Sequence, residues 1–318
     1  LYKIEMELAG EKDVAAVAVL ASVTNEQRVS RAIKEHGVDV VFHAAAHKHV
    51  PLVEANALEG IYNNVFGTKT VADAAFENGV KDFVLISTDK AVRPTNVMGA
   101  TKRWAELIVR EKAAQAHQAN TGQRFCAVRF GNVLGSNGSV VPLFKEQIAK
   151  GGPITLTDRA MTRYFMSIQE AAELIVQAGS LSEGGDVFLL DMGEPIVITD
   201  LAENMVRLAG LTVRTDENPE GDIEIIAVGK RPGEKLYEEL FYDETSATAT
   251  RHPKILRGLG PLAQPIDISD RLALLYAALK EEDEKSARAV LFALIAERDT
   301  GKRGAQAPQD QLNEGLGS

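Results

Sequence analysis

From its first residue the chain alternates short apolar runs with stretches of helical periodicity. Val17-Ala18-Val19-Leu20 predicts a strand, Asn25 to His36 a helix ending at Gly37, and Val38 to Phe42 a buried strand. A long helical pattern runs from Glu54 to Asn78 and stops at Gly79. Phe83 to Ile86 predicts a strand, Met98 to Asn120 a helix halted by Gly122, and Phe125 to Phe130 another strand. These strand runs are continuous rather than alternating, as for strands buried on both faces. Strand and helix in repetition imply a parallel sheet wound by right-handed crossovers. The predicted fold class is therefore α/β, a doubly wound parallel sheet.

After Gly131 the pattern changes. Gly135, Gly138, Gly151, Gly152 and Pro153 punctuate shorter elements. Val187 to Leu190 and Ile223 to Val228 predict strands. Ile168 to Ala178 and Thr199 to Ala209 predict helices, the second capped by Thr199 with Glu203 nearby. Residues 132–303 are expected to form mainly a smaller mixed α/β substrate lobe, with early strands able to join the main sheet. The polar, Gly- and Gln-rich stretch 304–318 reads as a disordered tail. Residues 1–131 read as a Rossmann domain without its opening strand and Gly-rich turn, because no G-x-G-x-x-G occurs and Leu1 to Leu8 resembles the second helix of such a fold. With neither an initiator Met nor a signal pattern, the chain reads as N-terminally truncated. Gly67-Thr68-Lys69-Thr70 resembles the end of a phosphate loop, but no glycine stands five positions earlier, and it reads as a solvated helix turn.

Composition narrows the class. A chain of 318 residues, 45% apolar and 25% charged, suits one large or two unequal soluble domains. Lys plus Arg is 35 against 45 Asp plus Glu, a net charge of −10, which argues against a nucleic-acid or membrane-surface partner. An anionic ligand is still compatible, since a site needs only a few local cations. The single Cys126 excludes an intrachain disulfide and a Cys-based zinc site. No run of about 18 apolar residues is present to span a membrane.

Three loops follow predicted strands, where open α/β sheets bind ligands. The first is His43-Ala44-Ala45-Ala46-His47-Lys48-His49-Val50-Pro51. Its alanines would let backbone approach a flat cofactor, and Lys48 and His49 would face the crevice. The His spacing lacks the Glu of a zincin and leaves a strand, so metal is the minor reading and none is expected; His43 suits packing or capping. The second loop, from Ser87 to Lys102, places Met98 and Lys102 four apart on one helix face. Asp89-Lys90 within it offers a general acid and a general base. A lysine base needs a lowered pKa, for which burial and nearby cations such as Lys102 would serve. Alone, the pair reads rather as a surface ion pair. The third loop is the Gly-rich Arg129 to Pro142, where Asn132 could donate to a diphosphate or sugar. Arg163 and Arg231, in later loops, suit bidentate phosphate contact.

Together these segments resemble the CapD/WbpM-like nucleotide-sugar 4,6-dehydratases of the extended short-chain dehydrogenase superfamily. HAAAHKHVP at 43–51, STDKAVRPTNVMGATKR at 87–103, RFGNVLGSNGSVVPLF at 129–144, MTRYFM at 161–166 and RPGEKLYEEL at 231–240 carry the resemblance. It implies bound NAD and a UDP-sugar substrate, UDP-N-acetylglucosamine, in bacterial surface polysaccharide synthesis. The implied reaction oxidises C4, eliminates water across C5 and C6, and returns hydride to C6. Lys90 stands at the family's base position, Asp89 at its acid position, and Lys102 at its ribose-binding lysine. Met98 replaces the usual Tyr, which leaves Thr88, Asp89 through water, or Lys102 to accept the O4 proton, and suggests retention at C5. Ser22, Val23, Ala44, Ala45, Ala46, Asn64, Ser87 and Lys102 are the implied NAD contacts. Lys48, His49, Glu54, Asn132, Ser139, Val140, Arg163, Arg231 and Glu234 are the implied substrate contacts. The Met98 branch also implies a cytoplasmic catalytic domain whose membrane anchor precedes these residues, and the superfamily's helix pairs imply a homo-oligomer. A UDP-sugar 4-epimerase and a non-catalytic nucleotide-sugar module are the alternatives. The first needs the Tyr shuttle that Met98 lacks.

Overall fold

The structure, a computed structural model, describes residues 1–136, 138–231, 233–240, 247–259 and 267–300. The tail expected at 304–318 lies outside them. Helices α1 (Tyr2–Leu8) and α2 (Glu26–His36) precede strand β1 (Val40–His43). Helices α3 (Val50–Ala55) and α4 (Ala57–Ile61), a π turn at Tyr62–Phe66 and α5 (Gly67–Glu77) lead to β2 (Asp82–Ile86). Helix α6 (Val97–Gln118) leads to β3 (Arg124–Arg129). Then follow β4 (Asn132–Val133), α7 (Val140–Ala149), β5 (Ile154–Leu156), β6 (Thr162–Arg163), β7 (Phe165–Met166), α8 (Ile168–Ser180) and β8 (Val187–Leu190). The chain continues through β9 (Ile196–Val197), α9 (Ile198–Leu208), β10 (Ile225–Ala227), β11 (Thr248–Ala249), β12 (Ile255–Leu259), α10 (Ser269–Lys280) and α11 (Glu284–Thr300).

The central sheet has the order β1-β2-β3-β8-β12-β11. Its first four strands are parallel, and β12 and β11 are antiparallel additions. Strands β2 and β3 are covered on both faces. Phe83, Leu85, Phe125 and Ala127 pack toward the α5–α6 side, and Val84, Cys126 and Val128 toward α8. This two-sided burial explains their continuous apolar runs. The sequence after Gly131 thus supplies three strands of the main sheet and also a separate cluster around Phe144, Ile154, Leu156, Ile198 and Ile223.

Several elements differ from expectation. Val17 to Leu20 forms no strand, and Leu20 is 81% exposed. A strand exists through its partner, and among the described residues β1 pairs only with β2, leaving Val40 and Phe42 of its outer edge 42% and 46% exposed. The pattern at 54–78 is broken at Asn56, whose φ of −138° is not helical, and again at the π turn. Gly67 and Thr68 are buried in α5 rather than solvated. Thr199 lies inside α9, not at its cap, and its hydroxyl donates to Arg159 O (2.9 Å). Helices α10 and α11 are additional to the predicted elements. Helix α11 packs on α6, where the Trp104 indole N–H donates to Leu291 O (2.8 Å), and α10 packs on α11. Among the described residues no helix is long and apolar enough to cross a membrane.

Candidate active site

The carboxyl ends of β1, β2 and β3 open on one cleft of about 530 Å³. Its first wall is the loop 44–49. Asn64, from the π turn, accepts from His47 N (2.7 Å) and from Asn63 (3.1 Å), and donates to His47 O (3.0 Å) and Thr101 Oγ1 (3.0 Å). One amide thereby serves the loop as a strand neighbour would, and its hydrogen-bonding capacity is used. π turns occur often at functional sites. Behind it, Thr68 donates its hydroxyl proton to Asn64 O (2.7 Å), so His43 Nε2 must donate to Thr68 Oγ1 (3.0 Å). Burial, aided by Lys102, lowers the His43 pKa to about 3. His43 is a neutral core histidine whose ring lies tilted against Phe83.

The second wall follows β2. Thr88 caps a short turn at Asp89–Ala91, and Asn96 caps α6 by accepting from Gly99 N (2.8 Å). Gly99 is required here, because a Cβ would overlap the Lys90 carbonyl oxygen. This close approach fixes the turn bearing Asp89 and Lys90 against the start of α6. Thr88 Oγ1 donates to Asp89 Oδ1 (2.8 Å), and Lys90 Nζ donates to the same oxygen (2.9 Å). Asp89 is 1% exposed, and its Oδ2 is buried without a hydrogen-bond partner.

Lys90 departs from expectation in its electrostatics. Burial lowers its pKa, but Asp89 and Glu238 outweigh burial, and the net direction is upward. The cations expected to depress it are outmatched by two carboxylates. Lys102 is the amine that burial does lower, to about 8, against the opposing pull of Glu106. Its Nζ donates to Ile86 O (2.6 Å). Beneath the cleft floor, Ser87 Oγ donates to Glu106 Oε1 (2.7 Å), and Arg129 grips Glu106 with two bonds of 2.6 Å.

Of the residues singled out from sequence, the cleft is lined by Ala44, Ala46, Lys48, His49, Ser87, Thr88, Lys90, Met98, Lys102, Asn132, Ser139, Arg231 and Glu234. Asp89 lies directly behind Lys90. The Ser139 hydroxyl is buried without a hydrogen-bond partner in this lining. The others do not line it. Ser22 bonds Thr24 (2.8 Å), and Val23 packs over Gly67. Ala45 is exposed and Val140 packs on the cluster around Phe144. Glu54 pairs with Arg288 (2.8 Å) and accepts from Val97 N at the start of α6. Arg163 gives its guanidinium to Thr162 O (2.7 Å), Leu236 O (3.0 Å) and Lys235 O (2.8 Å). It therefore holds the 233–240 segment in place. His43, His47 and His49 diverge, toward Thr68, Glu59 and Gly138 respectively, and among the described residues no three metal-ligating side chains converge.

Two functional-looking residues were not singled out from the sequence. Glu238 lies within the quoted RPGEKLYEEL segment, but nothing in Glu238-Glu239 says which turns inward. The structure turns Glu238 to Lys90 and Glu239 outward to Arg93. Glu106 did carry a signal, since it stands four residues beyond Lys102 on one helix face.

The family described as polysaccharide biosynthesis protein matches residues 1–259. The capsular polysaccharide biosynthesis protein CapD of Staphylococcus aureus is 51% identical over 261 residues, 81% of this chain and 42% of that protein. A UDP-N-acetylglucosamine 4,6-dehydratase (inverting) of Campylobacter jejuni subsp. jejuni serotype O:2 is 37% identical over 228 residues, 71% of this chain and 63% of that protein. Among solved structures, Pen from Bacillus thuringiensis matches with a TM-score of 0.72 at 34% identity, covering 84% of this chain and 78% of that one. The chain therefore spans less than half of the CapD protein and less than two thirds of the Campylobacter enzyme.

Proposed function

The chain belongs to the polysaccharide biosynthesis protein family, and on that premise we propose that it carries the active site of an NAD-dependent UDP-N-acetylglucosamine 4,6-dehydratase. The observation that carries this reading is the Asp89–Lys90 pair, with Asp89 buried and Lys90 lining the cleft, and Met98 in the same lining where an epimerase would need a proton-shuttling Tyr. Elimination of water needs an acid and a base side by side, and epimerisation does not.

The cleft suits the nicotinamide–ribose end of NAD. Ala44 and Ala46 offer a wall of small side chains, and the Lys102 amine, whose Ile86 bond uses one donor, has others for ribose hydroxyls. Bound there, NAD+ would supply the hydride acceptor at C4 and the hydride donor at C6. Lys90, as the free amine, takes the C5 proton. Asp89, as the acid, protonates the departing C6 hydroxyl. The C5–H and C6–O bonds break, a C5–C6 double bond forms, and water leaves. The pair ends as ammonium and carboxylate, the ion pair described above. The Lys90 ammonium then returns its proton to C5 as C6 takes hydride, which leaves Lys90 neutral and Asp89 ionised. The proton released from O4 when C4 is oxidised passes to Asp89 through water and restores the acid, so the cycle closes with one water lost and no net proton change. Lys48, Asn132, Ser139 and Arg231 are assigned to the sugar nucleotide, with the unpartnered Ser139 hydroxyl as an available donor.

The test is mass spectrometry of UDP-N-acetylglucosamine incubated with NAD+ and the protein. Loss of one water with no net NADH is expected. An isomer of unchanged mass would transfer the site to the epimerases, and binding with no chemistry would overturn the enzyme reading.

A further inference from the structure

Lys90 Nζ faces three oxygen acceptors from three separate segments. Asp89 Oδ1 lies at 2.9 Å, Asn132 Oδ1 at 3.5 Å and Glu238 Oε1 at 3.6 Å. The Glu238 side chain is 4% exposed, and its Oε2 is buried without a hydrogen-bond partner. Arg163 stands 3.7 Å from Oε1. The string Asp89, Lys90, Glu238, Arg163, with Lys90 its most exposed side chain at 18%, alternates in sign and sums to zero. The segment that carries Glu238 is held firmly. Beyond the Arg163 bonds, Lys235 Nζ donates to Val92 O (3.0 Å), and Thr95 and Asn96 both donate to Gly233 O (2.8 and 3.1 Å). A carboxylate so placed is aimed by its frame rather than swept there by a flexible side chain.

We propose that Glu238 is the positioning residue of the acid–base pair: as the second carboxylate against Lys90, it fixes the amine over the cleft and stabilises the ammonium formed when Lys90 takes a proton. This deepens the dehydratase reading and rests on Lys90 being its base. The need for a second carboxylate follows from the chemistry. In the reactive form Asp89 holds the proton it will donate, so it offers Lys90 no full counter-charge at the start of the step. Glu238 then supplies the negative charge that faces the developing ammonium. A preorganised charge aimed at where charge develops is the largest kind of contribution to such a step. The direction of the Lys90 pKa agrees. Burial and Arg163 pull it down, and Asp89 and Glu238 more than offset them. The polar groups Thr88 and Asn132 complete the surroundings.

The experiment measures Lys90 without turnover. The folded chain is trace-labelled with acetic anhydride across a pH series, and Lys90 acetylation is read by mass spectrometry. In Glu238→Gln the labelling midpoint is expected to fall by about one to three pH units, the usual effect of losing an opposite charge at this range. Glu238→Asp, which keeps the charge on a shorter arm, should recover part of the shift and serves as the variant of record if the Gln protein does not fold. In the dehydration assay the acid limb of the kcat profile should move the same way, with plateau kcat reduced about a hundredfold and KM unchanged. An unchanged labelling midpoint in a folded variant overturns the proposal. A shifted midpoint in a protein that removes no water overturns the dehydratase reading and supports the Glu238–Lys90 contact alone.

Discussion

Glu106→Gln tests whether the charge cluster under the cleft holds the fold. Glu106 is fully buried, with Arg129 on both oxygens, Arg103 at 3.0 Å and the Ser87 hydroxyl at 2.7 Å. Burial alone would raise its pKa, yet Arg129, then Arg103 and Ser87, bring it down to about 2 from 4.5. A depression of that size corresponds to roughly 3 kcal/mol, at about 1.4 kcal/mol per pH unit. Removing one partner of a buried pair costs about 3–5 kcal/mol by an independent route. The two agree, so the variant should lose about 3–4 kcal/mol near neutral pH. The sign with pH follows from the lowered pKa. The stabilisation is complete above the unfolded value near 4.5 and fades as pH falls toward 2. Urea unfolding of both proteins at pH 7 and at pH 3 measures this. The gap between their midpoints should narrow in acid. Equal stability at pH 7, or a gap that is independent of pH, would refute the reasoning.

Lys90→Ala should slow water loss, with a fall in kcat of about 10² to 10⁴, while NAD binding followed by fluorescence persists. Gly99→Ala should destabilise by about 1–3 kcal/mol in thermal unfolding because of the Lys90 carbonyl, the opposite sign to the usual gain of about 1 kcal/mol for Gly→Ala inside a helix. Trp104→Ala, which empties a fully buried site and frees the Leu291 carbonyl, should cost about 3–5 kcal/mol in the same assay.

The elements legible in the sequence were those whose burial is two-sided or whose ends carry their own chemistry. Strands β2 and β3 announced themselves as unbroken apolar runs. Helix α2 has Asn25 accepting from Arg28 N at its start and Gly37 at φ +56° at its end. What stayed hidden depended on partners distant in the chain. Val17 to Leu20 has strand composition and no strand beside it. Helix α11 owes its place to packing on α6, including one indole bond across 187 positions, and α10 to packing on α11. The site divides the same way. Asp89-Lys90, Lys102, Asn132 and Arg231 stand in local motifs, and the structure brings them together. Glu238 and the commitment of Arg163 to backbone carbonyls could not be read locally, since both depend on how 233–240 docks against 92–96.

Charge shows why that docking matters. The whole chain carries −10, which should repel a nucleotide diphosphate. The cleft lining instead carries Lys48, Lys90, Lys102 and Arg231 against Glu234 alone among carboxylates. Asp89 neutralises Lys90 from behind, and Arg163 balances Glu238, so the acidic groups nearest the chemistry are spent internally. Lys48 and Arg231, from loops on separate segments, are left to set the sign of the opening. The placing of Arg231 and of residues 233–240 thus does two things at once. It brings Arg231 to the mouth, where an anion would arrive, and Glu238 to the base, where a proton would be taken. On the proposed reading, anion binding and protonation would be joined through one stretch of chain rather than arranged by separate parts of the fold.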